Sequence, residues 1–484
     1  MDAKRGCRVI VKPMTAAPRP APSTRPVSRT VQLADTIERQ IADGAYRAGD
    51  KLPSLRELAE LHRYAKNTVV AAFELLVARG LVEPRRGSGY YVLERAAPPA
   101  PAEDERGSLG RAMDIVWLMR EQLKTRPDAL AVGDGYPPVE WLADVRLDKF
   151  HHKVVRTGLG ALFRYGSRYG YAPLREHIVR KLADIGVGAE PAQVVLTQGA
   201  NEAMDLVIRY FVPPGGKVLV DDPGYYPLFG KLKVASAEVF GVPRGPDGPD
   251  LEALEQLLIV HRPRLFFTQS VAHNPTGSDL SAAKAFKVLQ LAQKYNLLIV
   301  EDDPLADFKP MASTRLAALD QLERTIYIGS FSKSFSAALR VGFIACGADL
   351  ASDLADLKAL LHVSSSEYCE RTVDVMLAEG HYQRHLTRLR ARLEEATAGA
   401  TRLFDSVGAE IYARNAQSLY LWAALPGVED SMAFAQELLS QNIVLAPGRI
   451  FTVDSTPSRW ARFNVGAVAA PRFARALRQA LRRA

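Results

Sequence analysis

The chain has little cysteine, no long apolar run and no internal repeat. Its three cysteines, Cys7, Cys346 and Cys369, lie far apart in 484 residues. They form no CxxC pair and no disulfide framework, which makes a reducing cytoplasm the expected setting. No stretch approaches the roughly 18 uninterrupted apolar residues of a membrane span, so no membrane association is expected. Residues 1–28 are rich in arginine and poor in acids, as transit peptides are. Their prolines, and the lack of an apolar core or a clear amphipathic helix, read instead as a disordered basic tail.

What is present is a soluble composition, 48% hydrophobic and 24% charged, in a chain too long for one ordinary core. The net charge of +8 is unevenly spread: residues 1–95 hold 17 Lys or Arg against 10 Asp or Glu, and the rest hold 45 against 44. A basic excess confined to one end points to a polyanion partner. Within that end, Val31, Leu33, Ala34, Ile37 and Ile41 recur at helical spacing, and Asp43-Gly44 stops the run. Ser54 is placed to cap a second helix with Leu55, Leu58, Ala59 and Leu61 on its apolar face. Asn67 opens a third, with Val69, Val70, Phe73, Leu76 and Val77 facing inward. Residues 80–92 read as two short strands around a basic, Gly-rich turn.

Three helices and a hairpin make a winged helix-turn-helix, whose third helix enters the major groove. Lys66, Asn67 and Thr68 fall at that helix's N-terminus, and Arg85 and Arg86 flank the wing tip. This module is assigned residues 29–95. Residues 96–112, Pro-rich and charged, read as a linker. From 113 to 484 short apolar strands (194–197, 217–220, 265–268, 297–301, 325–329 and 342–346) alternate with helical patterns. That alternation predicts an α/β fold with a mostly parallel sheet covered on both faces. A helix-rich stretch around 384–398 and a smaller α+β portion from about 410 follow.

The chemistry centres on residues 330–342, Ser-Phe-Ser-Lys-Ser-Phe-Ser-Ala-Ala-Leu-Arg-Val-Gly. A lysine amine, Lys333, can form a Schiff base with an aldehyde, and hydroxyls with an arginine, Arg340, suit a phosphate. An aldehyde and a phosphate on one molecule describe pyridoxal phosphate, whose ring nitrogen also needs a carboxylate. Alone, the segment favours that chemistry over the plainer alternative, a Ser-rich turn before a helix with a solvated lysine. Four other segments supply the missing parts. Residues 197–201 turn from strand to helix and offer the backbone at Ala200 and Asn201 to a phosphate. Tyr225 is available to stack on a ring, and Asn274 to bond a phenolic oxygen. Asp302, at the carboxyl end of a strand, is placed for a pyridinium nitrogen.

Two resemblances then become specific. Residues 50–59 (DKLPSLRELA), 67–69 (NTV) and 87–92 (GSGYYV) resemble the GntR family of bacterial repressors. That resemblance implies Arg56, Lys66 and Thr68 as DNA contacts, with Gly87 at the wing. It departs from the family at Arg63, where a glycine is usual, and at Ala65, where a serine is. Residues 113–484 resemble the fold type I aminotransferases, through Asn-Pro-Thr-Gly at 274–277, Glu-Asp-Asp at 301–303 and the lysine segment. This implies Lys333 as the Schiff-base lysine. It assigns Ser330, Ser332, Arg340, Ala200 and Asn201 to the phosphate, Tyr225 to ring stacking, Asn274 to the phenolic oxygen and Asp302 to the ring nitrogen. It also implies Tyr165 reaching the phosphate of a neighbouring subunit and Arg462 clamping an effector or substrate carboxylate.

Two departures bear on activity. Pro304 and Leu305 stand where a tyrosine usually tunes the Schiff base, Phe308 being the nearest aromatic, and Ala338 replaces a glycine. The layout as a whole resembles the MocR subfamily. It implies a DNA-binding transcription regulator and homodimer that holds pyridoxal phosphate on Lys333 as an aldimine. Such a protein senses the cofactor or an amine or amino-acid effector, and its dimer favours an operator of paired half-sites. The alternative is an aminotransferase acting on an amino acid and a 2-oxo acid. The absent tyrosine and the basic module weigh against it, while leaving room for a residual half-reaction.

Overall fold

In a computed structural model the described residues are 29–42, 46, 48–85, 87–93, 115–116, 119, 129–145, 147–156, 163–414 and 417–481. The tail 1–28, the linker 96–112, Asp43, Gly44 and Arg86 lie outside them. The chain divides into two compact units, Met1–Ala102 and Glu103–Ala484.

The first unit holds α1 (Arg29–Ala42), α2 (Leu55–His62), α3 (Lys66–Ala78) and the hairpin of β1 (Val82–Arg85) and β2 (Gly89–Val92). Ser54 starts α2 through a reciprocal cap. Its Oγ accepts from the Glu57 amide at 3.2 Å, and the Glu57 carboxylate accepts from the Ser54 amide at 2.7 Å. α2 ends on Arg63 in the left-handed region, φ 52° and ψ 43°. The turn that a glycine would ease is therefore kept by an arginine, at a cost of about 1 kcal/mol. α3 begins at Lys66, one residue earlier than the sequence predicts, and the Ala65 before it offers no side-chain cap.

The core of this unit is Leu33, Ala34, Ile37, Leu52, Leu58, Val69, Ala72, Phe73 and Leu76. Two expectations fail. Leu61 is 74% exposed and Val77 37% exposed. At 100° per residue Leu61 falls off the stripe of Leu55, Leu58 and Ala59, and Val77 sits at the edge of the stripe of Val69, Ala72, Phe73 and Leu76.

The second unit is built on an eight-stranded sheet in the order β3-β10-β9-β8-β7-β4-β5-β6. The strands are β3 (Val194–Thr197), β4 (Lys217–Asp222), β5 (Glu238–Gly245), β6 (Gly248–Pro249), β7 (Leu265–Thr268), β8 (Leu298–Asp303), β9 (Thr325–Ser330) and β10 (Gly342–Ala345). β5, β4, β7, β8 and β9 run parallel, while β10 is antiparallel to both of its neighbours. Alternate residues serve opposite faces: Val218 and Val220 pack with Ala203, Leu206 and Val207, whereas Leu219 packs with Leu254, Leu258 and Val288. β5 is absent from the sequence prediction because Gly241 and Pro243 interrupt its pattern. Pro243 is tolerated there because only the two-residue β6 lies beyond β5.

After the 26-residue helix His381–Ser406 a smaller antiparallel sheet follows. Its order is β11-β12-β14-β13, from β11 (Glu410–Ile411), β12 (Tyr420–Ala424), β13 (Ala446–Pro447) and β14 (Trp460–Asn464). Residues 130–133 run alongside 442–444 through three backbone hydrogen bonds, from Leu130 N to Asn442 O, Val444 N to Leu130 O and Gly133 N to Val444 O. No helix among the described residues is long and apolar enough to cross a membrane.

Candidate cofactor site and DNA-reading surface

The parallel strands β4, β7, β8 and β9 deliver Tyr225, Gln269, Asn274, Asp302, Ser330 and Ser332 to one end of the sheet, where open α/β sheets bind their ligands. Together with Ala200, Asn201, Met204, Lys333 and Arg340 these residues line one cavity of about 490 Å³. Nine of the predicted site residues meet there. Tyr165 does not join them and is 82% exposed.

Asp302 is buried, and Gln269 Nε2 donates to its Oδ2 at 2.8 Å. Its Oδ1 is buried without a partner. Burial, opposed by the Gln269 bond, pushes this carboxyl up to about 7. An unpaired carboxylate oxygen in such a place is what a pyridinium N–H requires. Burial likewise holds Lys333 down to about 7, with Asp134 pulling the other way and Arg462 reinforcing the drop. An amine near 7 has a large neutral fraction at physiological pH and is able to attack an aldehyde.

The phosphate end is shaped by backbone. Gly199 precedes the helix Ala200–Phe211 with φ 76° and ψ 174°. A Cβ there would stand 2.7 Å from Arg340 Nη2. The missing side chain lets the guanidinium lie against the helix start, where it donates to Gln198 O at 3.0 Å and to Ser332 Oγ at 3.2 Å. Asn201 Oδ1 is also buried without a partner. Free amides, two serines and an arginine at a 12-residue helix N-terminus fit a phosphate.

Arg462, on β14, is 1% exposed. It donates to Asn274 Oδ1 at 2.8 Å and to Gly133 O at 2.7 Å. It lies over the rings of Tyr420 and Phe451, with its Nε buried and unpaired. Asn274 thus has its oxygen committed and its amide N–H₂ left for a phenolic oxygen.

Three residues that sequence reasoning passed over also build the site. Gln269 orients Asp302, and its Oε1 accepts from the Asn274 backbone N–H at 2.7 Å. Tyr136 places its ring 3.3 Å from Lys333 Nζ. Tyr420 donates to Gly135 O at 2.9 Å, the oxygen that also accepts from Lys333 at 2.8 Å. The tyrosine position after Asp302 is filled by Pro304, which lines the cavity, and by Leu305, buried in the core.

On the first unit, Arg56 is 89% exposed and pairs only loosely with Glu60 at 3.4 Å. Lys66 and Asn67 are exposed and Thr68 half-buried at the start of α3. Gly87 turns the wing at φ 74° with open space around it. Arg85 is less free: it bonds Glu83 at 2.8 Å and lies over the Tyr91 ring.

These two units define a class, a winged-helix DNA reader joined to a fold type I aminotransferase domain. Comparison with known proteins agrees. Residues 29–92 match the bacterial regulatory proteins of the gntR family, and residues 149–479 match aminotransferase class I and II. The uncharacterized HTH-type transcriptional regulator YdcR of Escherichia coli is 29% identical, over 90% of this chain and 94% of its own. The probable rhizopine catabolism regulatory protein MocR of Rhizobium meliloti is 28% identical, over 74% of this chain and 73% of its own. Among solved structures, LysN, the alpha-aminoadipate aminotransferase of Thermus thermophilus, is similar with a TM-score of 0.69 and 26% identity. That likeness covers 76% of this chain and 95% of LysN, which was solved complexed with N-(5'-phosphopyridoxyl)-L-leucine. The chain belongs to the aminotransferase class I and II family and, with a GntR domain in front, to the MocR subfamily of transcription regulators. Pyridoxal phosphate is the cofactor this domain indicates.

Proposed function

We propose that the protein regulates transcription by sensing, in its aminotransferase-like domain, either pyridoxal phosphate itself or an amine or amino acid that reacts with it. The reader would span residues 29–95 and the sensor 113–484, joined by the linker 96–112. The observation that carries the sensor half is the unpaired Asp302 Oδ1 in one cavity with Lys333 and the Gly199–Arg340 cradle. When bound, pyridoxal phosphate supplies an aldehyde and an electron-withdrawing ring. Lys333 would hold the aldehyde, and Asp302 would keep the ring nitrogen protonated. Tyr225 would cover the ring face, and Asn274 would donate to the phenolic oxygen. Ser330, Ser332, Arg340 and the amides of Ala200 and Asn201 would take the phosphate. Arg462 would meet an effector carboxylate. A homodimer, with Tyr165 completing the partner's phosphate site, would present two readers to paired half-sites in cytoplasmic DNA.

The test has two arms. The purified chain soaked in pyridoxal phosphate should gain a visible absorbance band that Lys333→Ala abolishes; a colourless wild type sinks the sensor. A gel shift on the DNA upstream of its own coding sequence should weaken with salt, and Lys66→Ala or Arg56→Ala should lower the salt slope by about one each. Binding that ignores salt and both substitutions sinks the reader. A second reading, an aminotransferase, would be favoured by rapid multiple turnover with common amino and 2-oxo acids. Leu305, in the place of the tuning tyrosine, is the observation against it.

A further inference from the structure

Four successive backbone carbonyls beside the cavity all accept from side chains. Gly133 O accepts from Arg462 at 2.7 Å, and Asp134 O and Tyr136 O accept from Asn464 Nδ2 at 3.1 and 2.5 Å. Gly135 O accepts from both Lys333 and Tyr420. Among the described residues, these carbonyls bond to β12 and β14 of the small sheet, and on the large-sheet side to one group, the lysine expected to hold the cofactor.

That single tie is conditional. A lysine nitrogen engaged by an aldehyde carbon has no ammonium left to offer Gly135. If an effector amine takes the aldehyde, its nitrogen forms the C=N bond while the C=N bond to Lys333 breaks. Two protons then pass from the effector nitrogen to Lys333, and nothing is oxidised or reduced. The released amine is again free to donate to Gly135 O. Resting on the sensor reading above, we propose that the Gly133–Tyr136 strap reports the state of the site: it gains Lys333 as a donor whenever an effector displaces that lysine. Tyr420 and Asn464 are positioning residues that keep the strap in reach. The two ligand states then differ by one hydrogen bond to a defined segment, which is the differential interaction any ligand-driven switch requires.

Hydrogen exchange on the full chain tests this with two probes. Pyridoxal phosphate occupies Lys333; N-(5'-phosphopyridoxyl)-L-leucine fills the same site but has no aldehyde and leaves Lys333 free. Binding of each is first verified by absorbance or fluorescence, and if neither binds, the sensor reading fails and this inference with it. With both bound, amides of a peptide covering 130–138 should exchange at least about threefold more slowly under the phosphopyridoxyl probe. In Lys333→Ala that difference should vanish; if it persists, the leucine side chain rather than the lysine orders the strap and the proposal is wrong. Asn464→Ala should bind both probes and exchange faster at 130–138 under each. Equal exchange with both probes in the wild type overturns the proposal while leaving the sensor reading intact.

Discussion

Replacing Gly199 with alanine tests the phosphate cradle at its narrowest point. The backbone there, φ 76° and ψ 174°, is a conformation open essentially to glycine alone, and holding alanine in it costs on the order of 1–3 kcal/mol. The added Cβ would sit 2.7 Å from Arg340 Nη2 and 3.0 Å from its Cζ. The guanidinium has to move, and moving it gives up the bonds to Gln198 O and Ser332 Oγ. Loss of one charge-assisted bond to a phosphate costs about 1.5–3 kcal/mol, roughly a ten- to 150-fold weaker affinity. The assay is a pyridoxal phosphate titration of the full chain followed by absorbance, alongside thermal melts with and without cofactor. Gly347→Ala is the control, since it also precedes a helix but its Cβ would meet nothing within 4 Å. Gly199→Ala binding the cofactor within about twofold of the wild type would refute the cradle.

Burial holds Lys333 down at about 7 from an ordinary 10.5. The cofactor-free fold therefore binds fewer protons than the unfolded chain between those values. The stability linked to this group is present above 10.5 and lost as pH falls to about 7. Lys333→Met should accordingly raise the melting temperature of the cofactor-free chain at pH 7, with a gain that shrinks toward pH 10; a lower melting temperature at pH 7 contradicts it. His273, enclosed with its Nε2 3.4 Å from Asp221 and facing the Arg244 guanidinium, is pushed by burial down to about 4. Its contribution is present above about 6.5 and lost as pH falls to 4, of order 3 kcal/mol. The urea midpoint of His273→Gln should fall less than that of the wild type between pH 7 and 4.5. Arg63→Gly relieves a left-handed arginine and should slow amide exchange in α2 by about fivefold, corresponding to about 1 kcal/mol; faster exchange would show that the arginine side chain stabilises the turn.

The parts of the site that the sequence made legible are those carried by short runs around strand ends. Lys333 and Arg340 lie in one segment, and Asp302 and Asn274 each sit in a local motif whose residue types already name the chemistry. Tyr136, Gln269 and Tyr420 were not legible, because their roles exist only through contacts. Tyr420 and Gly135 are 285 positions apart, and a glycine carbonyl carries no signal of what will donate to it. β5 was hidden by its glycine and proline, and Ala72 by its small size. Arg63 was legible as a departure from the usual glycine. The conformation shows that the turn survives it, which no residue pattern states.

The cavity also bears on whether capture or turnover is the task. Capture of an aldehyde needs a largely neutral amine, a carboxylate for the ring nitrogen and a phosphate cradle. Lys333 near 7, the free Asp302 Oδ1 and the Gly199–Arg340 pair supply all three. Turnover also needs the phenolic oxygen tuned through repeated cycles, and that donor set is thin. Leu305 is apolar and 1% exposed, the Tyr420 hydroxyl is given to Gly135 O, and Asn274 has one end held by Arg462. If that balance is correct, Leu305→Tyr alone should not create a fast enzyme. The new ring has to enter a packed core, where overpacking costs typically 1–3 kcal/mol. The expected outcome is a lower melting temperature with at most a small shift in the pH at which the cofactor band changes colour. A large gain in multiple turnover would show instead that the rest of the catalytic machinery was intact and that one hydroxyl separated sensor from enzyme.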